Sequence, residues 1–158
     1  MVRRRGFTLI EIMVALAILG ILAVMAVPSM TERIVRDQVV EAAQVAEIAK
    51  VAVAASWRAS EAMPSDNAAA GLPPAMKIVG NYVSAVNVED GAVHITFGNN
   101  ANGGIRGKVL SLRPAVVEDA PVVPVAWVCA HGRVPEKMTA QGNDRTDLPA
   151  PYLPVNCR

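Results

Sequence analysis

Apolar positions follow two different patterns along the first sixty residues. From Phe7 to Val27 they run without interruption, and the only ionisable side chain among them is Glu11. As a helix these 21 residues form a rod of about 31 Å, the thickness of one hydrocarbon core. From Thr31 to Ala62 the pattern becomes periodic. At about 100° per residue, Ile34, Val35, Val39, Ala42, Val45, Ala46, Ala49, Ala52, Val53 and Trp57 fall in one arc. Arg33, Arg36, Asp37, Glu41, Gln44, Glu47 and Arg58 lie opposite, and Gln38 alone intrudes on the apolar side. Glu32–Arg36 and Arg33–Asp37 are spaced as i, i+4 ion pairs. The spacing therefore predicts one long helix with two halves, the first suited to lipid or other helices and the second to covering a sheet. Pro28 lacks an N–H and crowds the preceding turn, so it is expected to interrupt or bend the helix, with Gly20 a second weak point.

Met63-Pro64-Ser65-Asp66-Asn67 stops the helical pattern, and a connector with Gly71-Leu72-Pro73-Pro74 comes next. Tyr82–Val88 and Ala92–Phe97 flank Glu89-Asp90-Gly91, a hairpin signal. In the second of these Val93, Ile95 and Phe97 alternate with His94 and Thr96, so His94 is expected to point outward. Lys108–Arg113 and Pro124–Cys129 read as a third and a fourth strand. The tail from Ala130 is rich in Gly, Pro and Asp and has no period. The expected fold is α+β, a long N-terminal helix packed on a small antiparallel four-stranded sheet. Its divisions are a short basic segment over 1–6, an apolar half-helix over 7–30 suited to a membrane or other helices, and a head over 31–158. Within the head fall a helix at 31–62, a connector at 63–80, a sheet at 81–129 and a loop at 129–157.

Composition narrows this picture. The chain is 158 residues long, and committing thirty to a membrane leaves about 130 for a single core. It is 53% hydrophobic but 4% aromatic, so that core must be built mainly of Ala and Val. Arg3, Arg4 and Arg5 favour a cytoplasmic N-terminus, which places the chain beyond Val27 on the far side of the membrane. Without Met1–Gly6 the chain carries 12 basic against 14 acidic residues, not the balance of a nucleic-acid polyelectrolyte site. Arg106, Lys108, Arg113, Arg133 and Lys137 could form a weak basic patch for DNA or a surface ligand, but scattered solvated charge describes them better. Cys129 and Cys157 both lie beyond the span, where an oxidising compartment allows a disulfide; the alternative is two free thiols. They and the remote His94 and His131 are too few to suggest a metal site. No catalytic residue is assigned: HExxH and GxSxG patterns are absent. Gly103–Lys108 lacks the first glycine and the hydroxyl residue of a phosphate loop. No cofactor is implied.

Gly6-Phe7-Thr8-Leu9-Ile10-Glu11 heading an apolar helix resembles the N-terminus of type IV prepilins, and the match continues through Gly20 and Pro28. Met30 stands where many relatives carry an aromatic, and the leader is short. Gly80–Pro114, Ala126–Cys129 and Tyr152–Arg158 look like the sheet and disulfide-closed terminal loop of the type IVa class. The resemblance implies cleavage between Gly6 and Phe7 by a prepilin peptidase, and N-methylation of Phe7. It implies that Glu11 docks against the new Phe7 amine of a neighbouring subunit, and that Gly20 and Pro28 let the helix unwind and the fibre stretch. The implied partners are identical or related subunits, the peptidase, and an inner-membrane assembly platform with a separate ATPase motor. The implied location is the inner membrane, then a surface filament serving adhesion, twitching motility or DNA uptake.

Other readings stay open at this point. Glu11 can be an interfacial acid that reaches headgroup water, and the same N-terminus can belong to a minor pilin or to a pseudopilin of a secretion system. A secreted binding protein would instead use Arg3–Arg5 and Ile12–Leu22 as an ordinary signal peptide, cut after Ala26.

Overall fold

The computed structural model describes residues 6–158, with the backbone alone at 26–29. Met1–Arg5, which carry the leader's three arginines, lie outside the described residues. The chain divides into two compact units, Met1–Ile34 and Val35–Arg158. Helix α1 (Leu9–Val45) begins in the first and ends in the second. It is not interrupted at position 28, contrary to one of the two outcomes expected of Pro28.

The break falls later, at Ala46. There the backbone (φ −74°, ψ −7°) makes a turn before helix α2 (Glu47–Ser60) begins, so the single predicted head helix is two segments. The apolar stripe nevertheless continues across the break: Val35, Val39, Ala42, Ala46, Ala49, Val53 and Trp57 are all buried. Ile34, placed in the same arc by periodicity, is exposed. Gln38, the polar intruder, has its own purpose, because its Oε1 accepts the Asn102 N–H at 2.9 Å and ties down the 98–104 loop. Helix α2 ends at Glu61, whose left-handed backbone (φ 55°) lets its N–H donate to the Trp57 carbonyl.

The sheet is antiparallel in the order β1 (Val83–Glu89), β2 (Ala92–Phe97), β3 (Val109–Val116), β4 (Ala126–Cys129). It has a fifth strand, β5 (Thr139–Ala140), paired with the end of β3. Two residues cannot display a period, so the prediction of four strands misses it. The β1–β2 turn is Asp90-Gly91, both at positive φ (48° and 82°), as a tight two-residue hairpin requires. Strand β3 runs through Pro114 because its ladder to β2 stops at Leu112, and the missing N–H falls beyond it.

Val86, Val88, Val93, Ile95, Leu110 and Leu112 join the helical stripe in one core cluster. The opposite sheet face is covered as well, by the terminal segment. Gln141 N–H donates to Pro114 O, Arg145 N–H to Ser111 Oγ, and Asp147 exchanges bonds with the Val109 backbone in both directions. His94 is consequently 4% exposed, not outward into solvent as alternation predicted. At the free edge of β1, Asn67 reaches from the connector. Its Oδ1 accepts Val88 N–H at 2.6 Å and its Nδ2 donates to Val86 O at 3.0 Å, so one side chain stands in for a neighbouring strand. Cys129 and Cys157 form a disulfide with their Cα atoms 4.7 Å apart, closing the terminal loop onto the end of β4.

Candidate assembly site

The helical segment from Leu9 to Met25 is apolar on every side. Phe7 is 78% exposed, and Leu9, Ile10, Met13, Leu16, Leu19 and Leu22 are exposed around the whole circumference. A helix apolar all round has no solvated face, so its surface suits lipid or other apolar helices. By length and composition it can cross a membrane. Gly20 and Gly6 have open space where a Cβ would stand, so nothing among the described residues packs against either in a way that calls for a glycine.

Glu11 opens this helix rather than interrupting it. Its carboxylate Oε2 accepts the Thr8 N–H, and its own N–H donates to Thr8 Oγ1, both at 3.4 Å. These long reciprocal contacts form a capping box, in which Thr8 and Glu11 occupy the cap and third helical positions. The Thr-x-x-Glu spacing signals that arrangement in the sequence, but the acid's place in an apolar run hides it. A negative charge is also favoured at the positive end of the helix dipole. One carboxylate oxygen, Oε2, is thus engaged locally.

Among the described residues the head offers no comparable chemical site. A cavity of about 270 Å³ lies between α1, α2, the β3–β4 edge and the terminal loop, with Val39, Leu110, Trp127 and the disulfide on its walls. The charged group on its wall, Lys50, pairs with Glu47 at 2.6 Å and lies 5.6 Å from the Trp127 ring centroid. Among the described residues no three His, Cys, Asp or Glu side chains come together to hold a metal. The basic residues considered for DNA are partly engaged within the head. Arg106 donates to Ala101 O, Lys108 lies 3.8 Å from Asp147, and Arg113 donates to Ala130 O. The structure therefore brings the disulfide together and places Phe7 and Glu11 at one exposed apolar end. His131 lies beside the disulfide, its N–H donating to Cys157 O at 3.3 Å.

His94 itself lies in a polar cluster that the alternation pattern could not reveal. Its Nδ1 is 2.9 Å from the hydroxyl of Ser111, which is fully buried and also accepts the Arg145 N–H. Its Nε2 is buried without a hydrogen-bond partner among the described residues, 4.0 Å from Glu89. Burial, with Arg145 nearby, pushes His94 below the ordinary histidine value, against the pull of Glu89 and Asp144.

Comparison with known proteins agrees with this geometry. The Pilin family (bacterial filament) matches residues 35–158, and the prokaryotic N-terminal methylation motif matches residues 1–27. The type IV major pilin protein PilE of Neisseria gonorrhoeae is 38% identical over 162 residues, spanning 98% of this chain and 94% of its own. A fimbrial protein of Neisseria meningitidis serogroup A is also 38% identical, over 165 residues with the same coverage. The fimbrial protein EcpC of Eikenella corrodens is 32% identical over 160 residues, spanning 98% of this chain and 91% of its own. The match runs through both the apolar helix and the disulfide-closed head, so the chain belongs to the pilin family and is a structural subunit of a type IV pilus.

Proposed function

We propose that the chain is made as a precursor, cut between Gly6 and Phe7 by a prepilin peptidase, methylated on Phe7, and polymerised through residues 7–30. The observation that carries the reading is the Gly6–Glu11 motif at the head of a helix whose apolar surface is exposed all round. Residues 1–6 act as the leader, 7–30 as an inner-membrane anchor and later the filament core, and 31–158 as the head. The N-terminus faces the cytoplasm and the head the periplasm, in keeping with Arg3–Arg5. Removing Met1–Gly6 creates a positive amine on Phe7 that the Glu11 of a neighbouring subunit neutralises, because two opposite charges enter an apolar core tolerably only as a pair. Gly20 and Pro28 allow local unwinding under load. Extraction from the membrane is driven by an assembly platform with its own ATPase. Adhesion, twitching motility or DNA uptake belongs to the whole fibre.

The major-subunit role is favoured over a minor one, since several near-full-length relatives carry the name of major pilin. Mass spectrometry of the mature N-terminus tests the central step. The expected product begins with methylated Phe7; a product beginning at Val27 would mean cleavage after Ala26 and would end the reading. Loss of all fibres on deleting the gene is the expected sign of a major subunit, and loss of a single fibre property would reassign it as minor.

A further inference from the structure

We propose that His94 is the trigger of an acid-release latch, holding the terminal segment against the outer sheet face through Ser111 while neutral and loosening it when protonated. The latch is a relay between three elements. Ser111, in the middle of β3, has one hydroxyl proton and is approached from two sides: by His94 Nδ1 of β2 at 2.9 Å and by the Arg145 N–H of the terminal segment at 2.8 Å. Both contacts are satisfied when the hydroxyl donates to Nδ1 and its oxygen accepts from Arg145, which leaves the imidazole proton on Nε2.

Protonation breaks that arrangement. Nδ1 then carries a proton and can no longer accept. Ser111 Oγ must accept from both neighbours, and its own proton is displaced into a fully buried site. The new charge also sits beside the Arg145 guanidinium. The groups facing the imidazole come from every packed element: Glu89 on β1, Ser111 on β3, and Arg145 and Asp144 on the terminal segment. Glu89 and Asp144 favour the charged form but are already engaged elsewhere. Glu89 pairs with Arg145, and Asp144 lies 3.0 Å from His131.

Linkage sets the sign. His94 lies below its ordinary value of 6.5 when folded, so between that lowered value and 6.5 the released chain binds a proton that the latched head does not. The latch is at full strength above 6.5 and weakens as pH falls below it. Burial opposes the charged form of Asp144, yet Thr146 hydrogen bonds, His131 and Arg113 together hold its carboxyl below the ordinary 3.8, so its contribution is lost only in stronger acid.

The test is an NMR titration of the full-length chain in detergent micelles. It tracks both imidazoles together with amide exchange corrected at each pH for intrinsic rate. Arg145 protection is expected to fall about tenfold across the His94 titration while Ile95, in the β1–β2–β3 ladder, stays protected. The variant H94Q should flatten the response that begins below pH 6.5, and H131A should leave it in place. Arg145 protection that stays flat while His94 titrates, or that tracks His131, overturns the proposal. So does an imidazole that takes up no proton before the whole head unfolds, a result the wild-type chain gives without any variant.

Discussion

At position 67 a single amide does the work of a missing strand. Asn67 accepts from Val88 N–H and donates to both Val86 O and Pro73 O, all within a site where its side chain is buried. Replacing it with alanine leaves buried β1 groups without partners, and each such group costs about 1–3 kcal/mol. Asn67→Ala should therefore lower head stability by about 2–3 kcal/mol, seen as a lower denaturant midpoint at unchanged m-value. A loss under about 0.5 kcal/mol would mean that water replaces the amide and the edge is open. Composition marks Asn67 as a turn residue and no more, because its role depends on a strand that arrives about twenty positions later. Glu11 is the reverse case. Its capping partner Thr8 is only three residues away, though the surrounding apolar run masks the signal, while the proposed docking partner belongs to another subunit.

Elements were legible where the pattern was long. The helical stripe from Val35 to Trp57 and the alternation of Val93, Ile95 and Phe97 each carry several turns or pleats of repeated signal, and both occupy the positions they predict. The elements that escaped are short or answer to a distant partner. β5 has two residues, the Ala46 turn lies in good helix-forming sequence, and burial of His94 comes from a tail with no period of its own. That tail is fixed at one end by the Cys129–Cys157 bridge, 28 residues apart in sequence. In the chain-entropy picture, a loop of that length contributes about 3–4 kcal/mol by restricting the unfolded chain. Replacing both cysteines with serine should make the segment after Ala130 sensitive to protease under oxidising conditions. Digestion identical to wild type would show that the hydrogen bonds to β3 suffice. The tail's two attachments differ in kind: the bridge holds irrespective of pH, whereas the Ser111–Arg145 contact depends on the state of His94.

For the molecule as a whole, the decisive surface is the exposed apolar one of the N-terminal helical segment. Moving an all-round apolar helix from lipid into a bundle of like helices changes its burial partners but not its separation from water, so the hydrophobic term nearly cancels. In the proposed docking, what then distinguishes the assembled position is charge. The Phe7 amine exists only after Gly6 is removed, and in an apolar interior neither it nor Glu11 is stable alone. Glu11→Ala leaves the Gly6–Phe7 bond and the span intact, so cleavage should proceed normally while the amine enters the fibre without its counter-charge. Removing one member of a buried pair costs about 3–5 kcal/mol, enough to shift incorporation by about two to four orders of magnitude. The expected result is processed subunit accumulating in the membrane with few filaments when wild-type and variant chains are compared at equal expression. Abundant normal filaments would reduce Glu11 to its local part, the cap it forms with Thr8. The variant also loses that cap, so Thr8→Ala, which weakens the cap but keeps the carboxylate, serves as the control. If docking is the dominant role, Thr8→Ala should assemble far better than Glu11→Ala.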